Sequence, residues 1–523
     1  MQFFDEPIEF EEQASEGAPA WYGRAADGEA LLDFAVAARE NGGRLAALWG
    51  ADERQRQGGF RLHCVFGIDA GHLWLTLDLP AETPSYPDLA GIFPAANRMQ
   101  RATRDLTGIA TIGGDQRPWL RHGAWPADWH PLRHDAAYST ELGAGFPNLP
   151  SDYEFVQMGG EGAHEIPVGP IHAGIIEPGH FRFSVIGEKV LRLEQRLGYQ
   201  HKGVERLFIG MDLAAGARLA GRISGDSTCA YAWAYADAVE AACGVEPPPR
   251  ALGLRALMLE RERVANHLGD LGALGNDAAL AFGLSQFMRL KEDWLRLNKE
   301  FFGHRFMMDR IVPGGVAVDP DRVALACIAE QCDVLEREVK QLKHIYDEHA
   351  GLQDRFLTTG PIGADLAREL SLTGMAARAT GLLLDGRAWR QGYTPPPPWA
   401  GLGVRPASDE RGDVAARVAV RFLEVYESLR LLRKIAAGLP GGALRSELPP
   451  KPFGRGLGVV EGWRGEVVVG VELDGEGRLA RLHPHDPSWQ AWPALEHAVL
   501  QDIVPDFPLI NKSFNLSYSG VDL

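Results

Sequence analysis

Three short stretches of this 523-residue chain carry side chains suited to binding a ligand or moving a proton. One is Arg222-Ile223-Ser224-Gly225-Asp226-Ser227, and a second is Asn515-Leu516-Ser517-Tyr518-Ser519-Gly520. The third places His172, Glu177 and His180 among glycine and proline turns. Serine hydroxyls are hard and stay protonated near neutral pH, so Ser224, Ser227 and Ser517 cannot do what thiolates do for soft metals. Imidazoles titrate near neutrality, which suits His172 and His180 to proton transfer or to plain backbone hydrogen bonding. Arg222 and Asp226 are expected to pair with each other as a buried structural bridge. The five cysteines form no C-x-x-C pair, so neither a zinc ribbon nor a cysteine-held iron–sulfur site is readable. Cys229 reads as a core thiol, and no metal site is expected.

The chain is long enough for two or three domains. A net charge of −17 argues against a nucleic-acid surface. No apolar run is long enough to span a bilayer, and the N-terminus lacks a signal pattern. A cytoplasmic protein is expected, attached to the inner face of the membrane only through partners.

The elements that must position these residues read as an α+β fold. Ala30 to Asn41 is helical, and Arg61 to Ile68 and His72 to Leu79 alternate as half-buried strands do. Arg117 to Asp152, rich in Pro, Trp, His and Gly, reads as an extended linker. Strand and turn follow to about Arg192, and helices dominate after Gly203. Asp319-Pro320 is expected to start a helix, Asp as N-cap and Pro at the first position. It runs through apolar Val323, Leu325, Ile328, Val334 and Leu335 towards Tyr346. Another spans Asp413 to Ala437, with Val418, Phe422, Val425, Leu429 and Leu432 on its core face. Pro395 to Pro398 form a stiff loop, and Asp474-Gly475-Glu476-Gly477 joins a hairpin. Gly454-Arg455-Gly456-Leu457-Gly458 lacks the strand–turn–helix setting of a nucleotide loop.

Several motifs, in order, resemble the large subunit of NiFe-hydrogenases of the complex I and formate hydrogenlyase group. They are Val168-Gly169-Pro170-Ile171-His172, Glu177-Pro178-Gly179-His180, Leu197-Gly198-Tyr199-Gln200-His201-Lys202-Gly203-Val204-Glu205, Glu260 to Leu268, Arg411-Gly412-Asp413, Glu461-Gly462-Trp463-Arg464-Gly465-Glu466 and Asp486-Pro487-Ser488. Tyr86-Pro87-Asp88-Leu89, Ile92-Phe93-Pro94 and Arg101 to Gly108 are similar to the small accessory subunit beside it in complex I. The resemblance implies an accessory domain over 1–118, a linker over 119–152 and a hydrogenase-like domain over 153–523. It also implies that Ser224, Ser227, Ser517 and Gly520 stand where four cysteines hold nickel and iron, so no active hydrogenase is expected.

By the same resemblance, the altered cavity would take a quinone near His172, His180 and Tyr518, with Glu177 as a proton-relay carboxylate. Gly225 falls where the complex I pattern has a tyrosine. Electrons would come from a 4Fe-4S cluster in an iron–sulfur small subunit, with a ferredoxin-like subunit and antiporter-like membrane subunits as further partners. NAD chemistry would belong to another subunit. The implied function is electron transfer to a quinone coupled to ion translocation; the alternative is a non-catalytic coupling scaffold with a vestigial cavity.

Overall fold

The computed structural model describes residues 8, 10–13, 17–123, 125–136, 153–172 and 176–523. The fold is α+β: an N-terminal sheet, then a helical body with smaller sheets at its edges. The first sheet has five strands, with Ala20–Ala25 parallel to Gly71–Leu79 and the remaining pairs antiparallel. Helix Gly28–Glu40, started by the Asp27 carboxylate accepting from Ala30 N at 2.9 Å, covers one face with Leu31, Phe34, Ala35 and Ala38.

Strands Phe60–Ile68 and Gly71–Leu79 are buried on both faces rather than half-buried. The second face is closed by a C-terminal antiparallel sheet of Phe453–Glu461, Glu466–Asp474 and Leu479–His485. Trp49 lies stacked between His63 and His483, with ring centroids 4.9 and 4.8 Å away. The Gln13 amide donates to Leu457 O at 3.0 Å and accepts from Leu457 N at 2.8 Å, a backbone-like link between chain segments over 400 residues apart. Local alternation could not reveal this cover, because the covering strands lie so far along the chain.

The stretch expected to be a linker is packed rather than free. It has no helix or strand over 113–136 among the described residues, yet the Asp105 carboxylate accepts from the amides of Trp119, Leu120 and Arg121 at 2.7, 2.8 and 3.0 Å. The rest of it, 137–152, lies outside the described residues. A three-stranded sheet of Ala163–Val168, His180–Ile186 and Lys189–Arg196 follows.

The helical body is built on Thr228–Cys243, Pro249–Asp277, Ala281–Phe302, Arg322–Glu348 and Val414–Gly438. The helix expected to start at Asp319 starts later: Asp321 is the N-cap, accepting from Ala324 N at 2.8 Å, and Val323 and Val334 face solvent. Asp319 instead pairs with Arg250. The expected core face of Val414–Gly438 is buried at all five positions. Gly456 and Gly458 sit on a strand where a Cβ would come within 1.9 Å of the Ala238 and Ala234 carbonyl oxygens. The glycines there let helix Thr228–Cys243 lie directly on the sheet.

Pro249–Asp277 is buried almost all round although it carries Arg255, Glu260, Arg261, Glu262, Arg263 and His267. Most of these charges have buried partners. Arg255 pairs with Glu240 at 2.5 Å, while Arg263 and His267 meet Glu424 at 3.2 and 2.8 Å. Glu424 in turn accepts from Arg378 at 2.5 Å. Such pairs must stay complete, since one buried charge left alone costs several kcal/mol, about 3–5.

Candidate functional site

The two serine segments meet. Helix Leu213–Ala220 ends at Gly221, the chain turns, and Ser224 to Ser227 lead into helix Thr228–Cys243. From the other side, helix Phe507–Phe514 is ended by Asn515 in the left-handed region, which aims Ser517 at the first turn. Ser224 Oγ and Ser517 Oγ are 3.0 Å apart, and Ser224 Oγ donates to Asp226 Oδ1 at 2.8 Å. Ser517 Oγ accepts from Gly520 N at 2.9 Å, and Ser517 N donates to Ser488 Oγ at 2.9 Å.

Arg464 closes the cluster. It donates to both Asp226 oxygens at 2.9 and 2.5 Å, to Ser227 Oγ at 3.3 Å and to Asn515 O at 2.6 Å. Its guanidinium lies 4.0 Å from the Trp463 ring, whose indole N–H donates to Asp226 O and Ser227 Oγ. Burial pulls the Asp226 pKa up, but the Arg464 charge and hydrogen bonds from Arg464, Ser224 and Ser227 outweigh it and hold the carboxyl below its ordinary value.

A family-type nickel–iron centre does not fit here. Three ligand positions carry serines whose hydroxyls are engaged with one another, with Asp226 and with Arg464. At the fourth, Gly520, a Cβ would come 2.5 Å from Asp486 Oδ2. Asp486 is fixed by Tyr231 OH at 2.7 Å and Ser488 N at 2.9 Å, so it has little freedom to yield.

A second group adjoins through Tyr518 and Ser519. Ser519 donates its hydroxyl to Glu177 and its amide to Glu177 Oε2 at 3.4 Å. Tyr518 is buried against Trp492, with centroids 4.8 Å apart, and against the Gly179 backbone. Burial raises its phenol pKa, with the Asn511 side chain acting the other way. His172 Nε2 meets Gly179 O at 2.8 Å and His180 Nδ1 meets Gly169 O at 3.3 Å. With Nδ1 on a carbonyl, the His180 ring presents Nε2 as an acceptor, and that atom is buried without a hydrogen-bond partner among the described residues. Burial lowers the His180 pKa, which favours the neutral ring.

The structure therefore brings Glu177 and Tyr518 together, next to Ser224, Asp226, Ser227 and Ser517, while His172 and His180 sit on the adjoining Gly169 and Gly179 backbone with the His180 ring against Phe155 at 5.3 Å. Arg222 does not join them. It points outward to Asp309, at 2.6 and 2.8 Å, and Asp226 takes Arg464 instead. The extended conformation of Ser224 separates the two side chains, so proximity in sequence misled. Gly225 is exposed, and a Cβ there would meet nothing within 4 Å.

Three further residues belong to the site. Lys202 donates to Ile223 O at 3.4 Å; burial lowers its pKa against the pull of Glu177 and Asp522. Asp522 accepts from Gly198 N and Gln200 N at 2.9 Å each, and burial, with Glu177 adding to it, pushes it up to about 7. Glu262 caps helix Thr228–Cys243 by accepting from Cys229 N and Ala230 N at 2.6 and 3.2 Å, and burial drives it up to about 8. Arg464, Lys202 and Glu262 all stand inside the colinear motifs, which was the available signal. Cys229 is buried with its thiol pKa well raised, as expected of a core cysteine.

Among known proteins, residues 277–451 match the family described as respiratory-chain NADH dehydrogenase, 49 Kd subunit, and residues 25–141 match its 30 Kd subunit. Formate hydrogenlyase subunit 5 of Escherichia coli is 31% identical over 92% of this chain and 85% of its own length. Hydrogenase-4 component G of the same organism is 30% identical over 92% and 84%. The C/D subunit of NADH-quinone oxidoreductase from Gluconacetobacter diazotrophicus is 28% identical over 80% and 73%. A chain of the membrane-bound sulfane sulfur reductase, an archaeal respiratory membrane complex, shares the fold with a TM-score of 0.64 at 24% identity, covering 69% of this chain and 99% of that one.

Proposed function

Because this chain belongs to the family that joins the 30 Kd and 49 Kd respiratory-chain subunits with formate hydrogenlyase subunit 5 and hydrogenase-4 component G, we propose that it serves a membrane-associated oxidoreductase complex by passing electrons from a partner's 4Fe-4S cluster to a quinone or similar carrier. Among the described residues no helix is long and apolar enough to cross a membrane, so attachment would run through membrane partners, which would also translocate the ion. The partners are an iron–sulfur small subunit, a ferredoxin-like subunit and antiporter-like subunits, with NAD chemistry left to another chain.

Two observations carry this reading: His180 Nε2 is buried without a hydrogen-bond partner among the described residues, and Glu177 is bound to Ser519 next to Tyr518. Reducing a quinone to a quinol takes two electrons and two protons, so a site for it needs groups that accept, hold and release protons. A neutral imidazole with one free nitrogen can orient a quinol hydroxyl or relay its proton. Glu177, bound to Ser519 and close enough to Lys202 and Asp522 to influence both, would be the carboxylate that brings protons to the site. In the purified complex, reduced by dithionite and then freed of the excess reductant, which itself reduces quinones, a water-soluble quinone should be consumed without hydrogen evolution. His180→Ala or Glu177→Gln should lower kcat/KM at least tenfold. No quinone-dependent turnover, or turnover untouched by both variants, would sink the reading.

The second reading, a coupling scaffold with a vestigial cavity, draws on the 3.0 Å contact between Ser224 and Ser517 and on Arg464 filling the space around them. It predicts a complex that assembles and depends on Arg464 for stability, with no reaction at this subunit.

A further inference from the structure

A separate, partly enclosed pocket lies between the N-terminal sheet and the helical body. Its walls include Arg44 and His72 from the sheet, Asp237 from helix Thr228–Cys243, and the segment around Arg387, Arg390 and Pro396, where the polyproline loop forms one side. The proposed quinone site uses none of these residues.

Most charges on the walls are matched. Arg44 pairs with Glu466 at 2.6 Å, Arg387 with Asp385 and Glu260 at 2.7 and 2.8 Å, and Asp237 and Glu240 share Arg255 at 3.1 and 2.5 Å. Glu461 pairs with Arg378 at 2.8 Å. Arg390 is the exception: its guanidinium lies 4.7 Å from the Tyr393 ring and has no carboxylate partner among the described residues, and its Nε is enclosed without a hydrogen bond. His72 is 4% exposed, and its Nδ1 is likewise buried without a partner. Arg390 is thus a cation without its own carboxylate among the described residues, in a partly enclosed space where an unpaired charge is costly and an incoming anion can serve as its partner.

We propose that this interdomain cavity binds a small organic anion, with Arg390 donating to its carboxylate or phosphate group. A planar guanidinium suits either group by bidentate hydrogen bonding. A ligand here would touch both the N-terminal module and the helical body, so its binding would tighten their contact.

The test is calorimetric titration of the purified full chain at pH 7 and constant ionic strength, with acetate and separately with inorganic phosphate. Saturable binding of at least one anion is expected in the wild type. It should weaken at least tenfold in Arg390→Gln and by less in Arg390→Lys, which keeps the charge but not the bidentate geometry. Arg296→Gln, at an exposed ion pair far from the cavity walls, should leave it unchanged. Binding of acetate alone would point to a carboxylate ligand, and of phosphate alone to a phosphate ester. No saturable binding of either, or equal affinity in Arg390→Gln folded by near-UV circular dichroism, would overturn the proposal.

Discussion

Replacing Arg464 with methionine tests whether the serine cluster is held shut by one side chain. The guanidinium makes two hydrogen bonds to Asp226, one to Ser227 and one to the Asn515 carbonyl. Truncating one member of a buried ion pair costs about 3–5 kcal/mol. The Asp226 side chain is 38% exposed, so water can re-solvate part of its charge, which reduces the expected loss to about 2–3 kcal/mol. Hydrogen exchange read by mass spectrometry on peptides covering 511–523 is a suitable assay, because it reports local opening. That loss corresponds to a fall in protection of roughly 30- to 150-fold. Adding Asp226→Asn should restore part of it, since the uncompensated carboxylate is gone. Asp226 has a folded pKa below its unfolded value of about 3.9, so its contribution is present above that pH and is lost as pH falls through the folded value. Arg464→Met should lose that acid-linked component. A fall in protection below about threefold, or a double variant worse than the sum of the singles, would refute the reasoning.

Other perturbations separate the remaining claims. Glu262 ionises near pH 4.3 when unfolded but near 8 when folded, so stability should fall as pH rises between those values and level off above. In Glu262→Gln the urea midpoint should lose this slope. Restoring Ser224→Cys, Ser227→Cys, Ser517→Cys and Gly520→Cys together should not give stoichiometric nickel by metal analysis. The cysteine at 520 should itself cost about 1–3 kcal/mol through its approach to Asp486. Gly225→Tyr, with open space at the Cβ, should shift thermal stability by no more than about 0.5 kcal/mol.

The sequence carried the architecture through ordered motifs and helix periodicity, and the five buried positions of Val414–Gly438 show how well a 3.6-residue repeat reports a core face. It misjudged what depends on distant cover. The strands around His63 and His72 looked half-buried because nothing in them announces the C-terminal sheet. Within the site, segments that had to converge could be named, but partners could not. Arg222 is four residues from Asp226 and turns away, whereas Arg464 arrives from 238 positions downstream. Charge pairing across such separations is set by packing, which local pattern does not encode. The same holds for Asp321 as N-cap: two aspartates flank Pro320, and the choice between them rests on the pull of Arg250 on Asp319.

The shared face between the first and last sheets also sets a schedule for the chain during its synthesis. Trp49 and Trp74 are complete within the first 80 residues, yet Gly470, the backbone that lies against them, is made some 400 residues later. At about 5–20 residues per second, an aromatic surface would stay open for roughly 20–80 s before its own chain could cover it. A nascent chain paused before Phe453 should therefore be a strong client for chaperones that hold apolar surface, and one released after His485 a weak one.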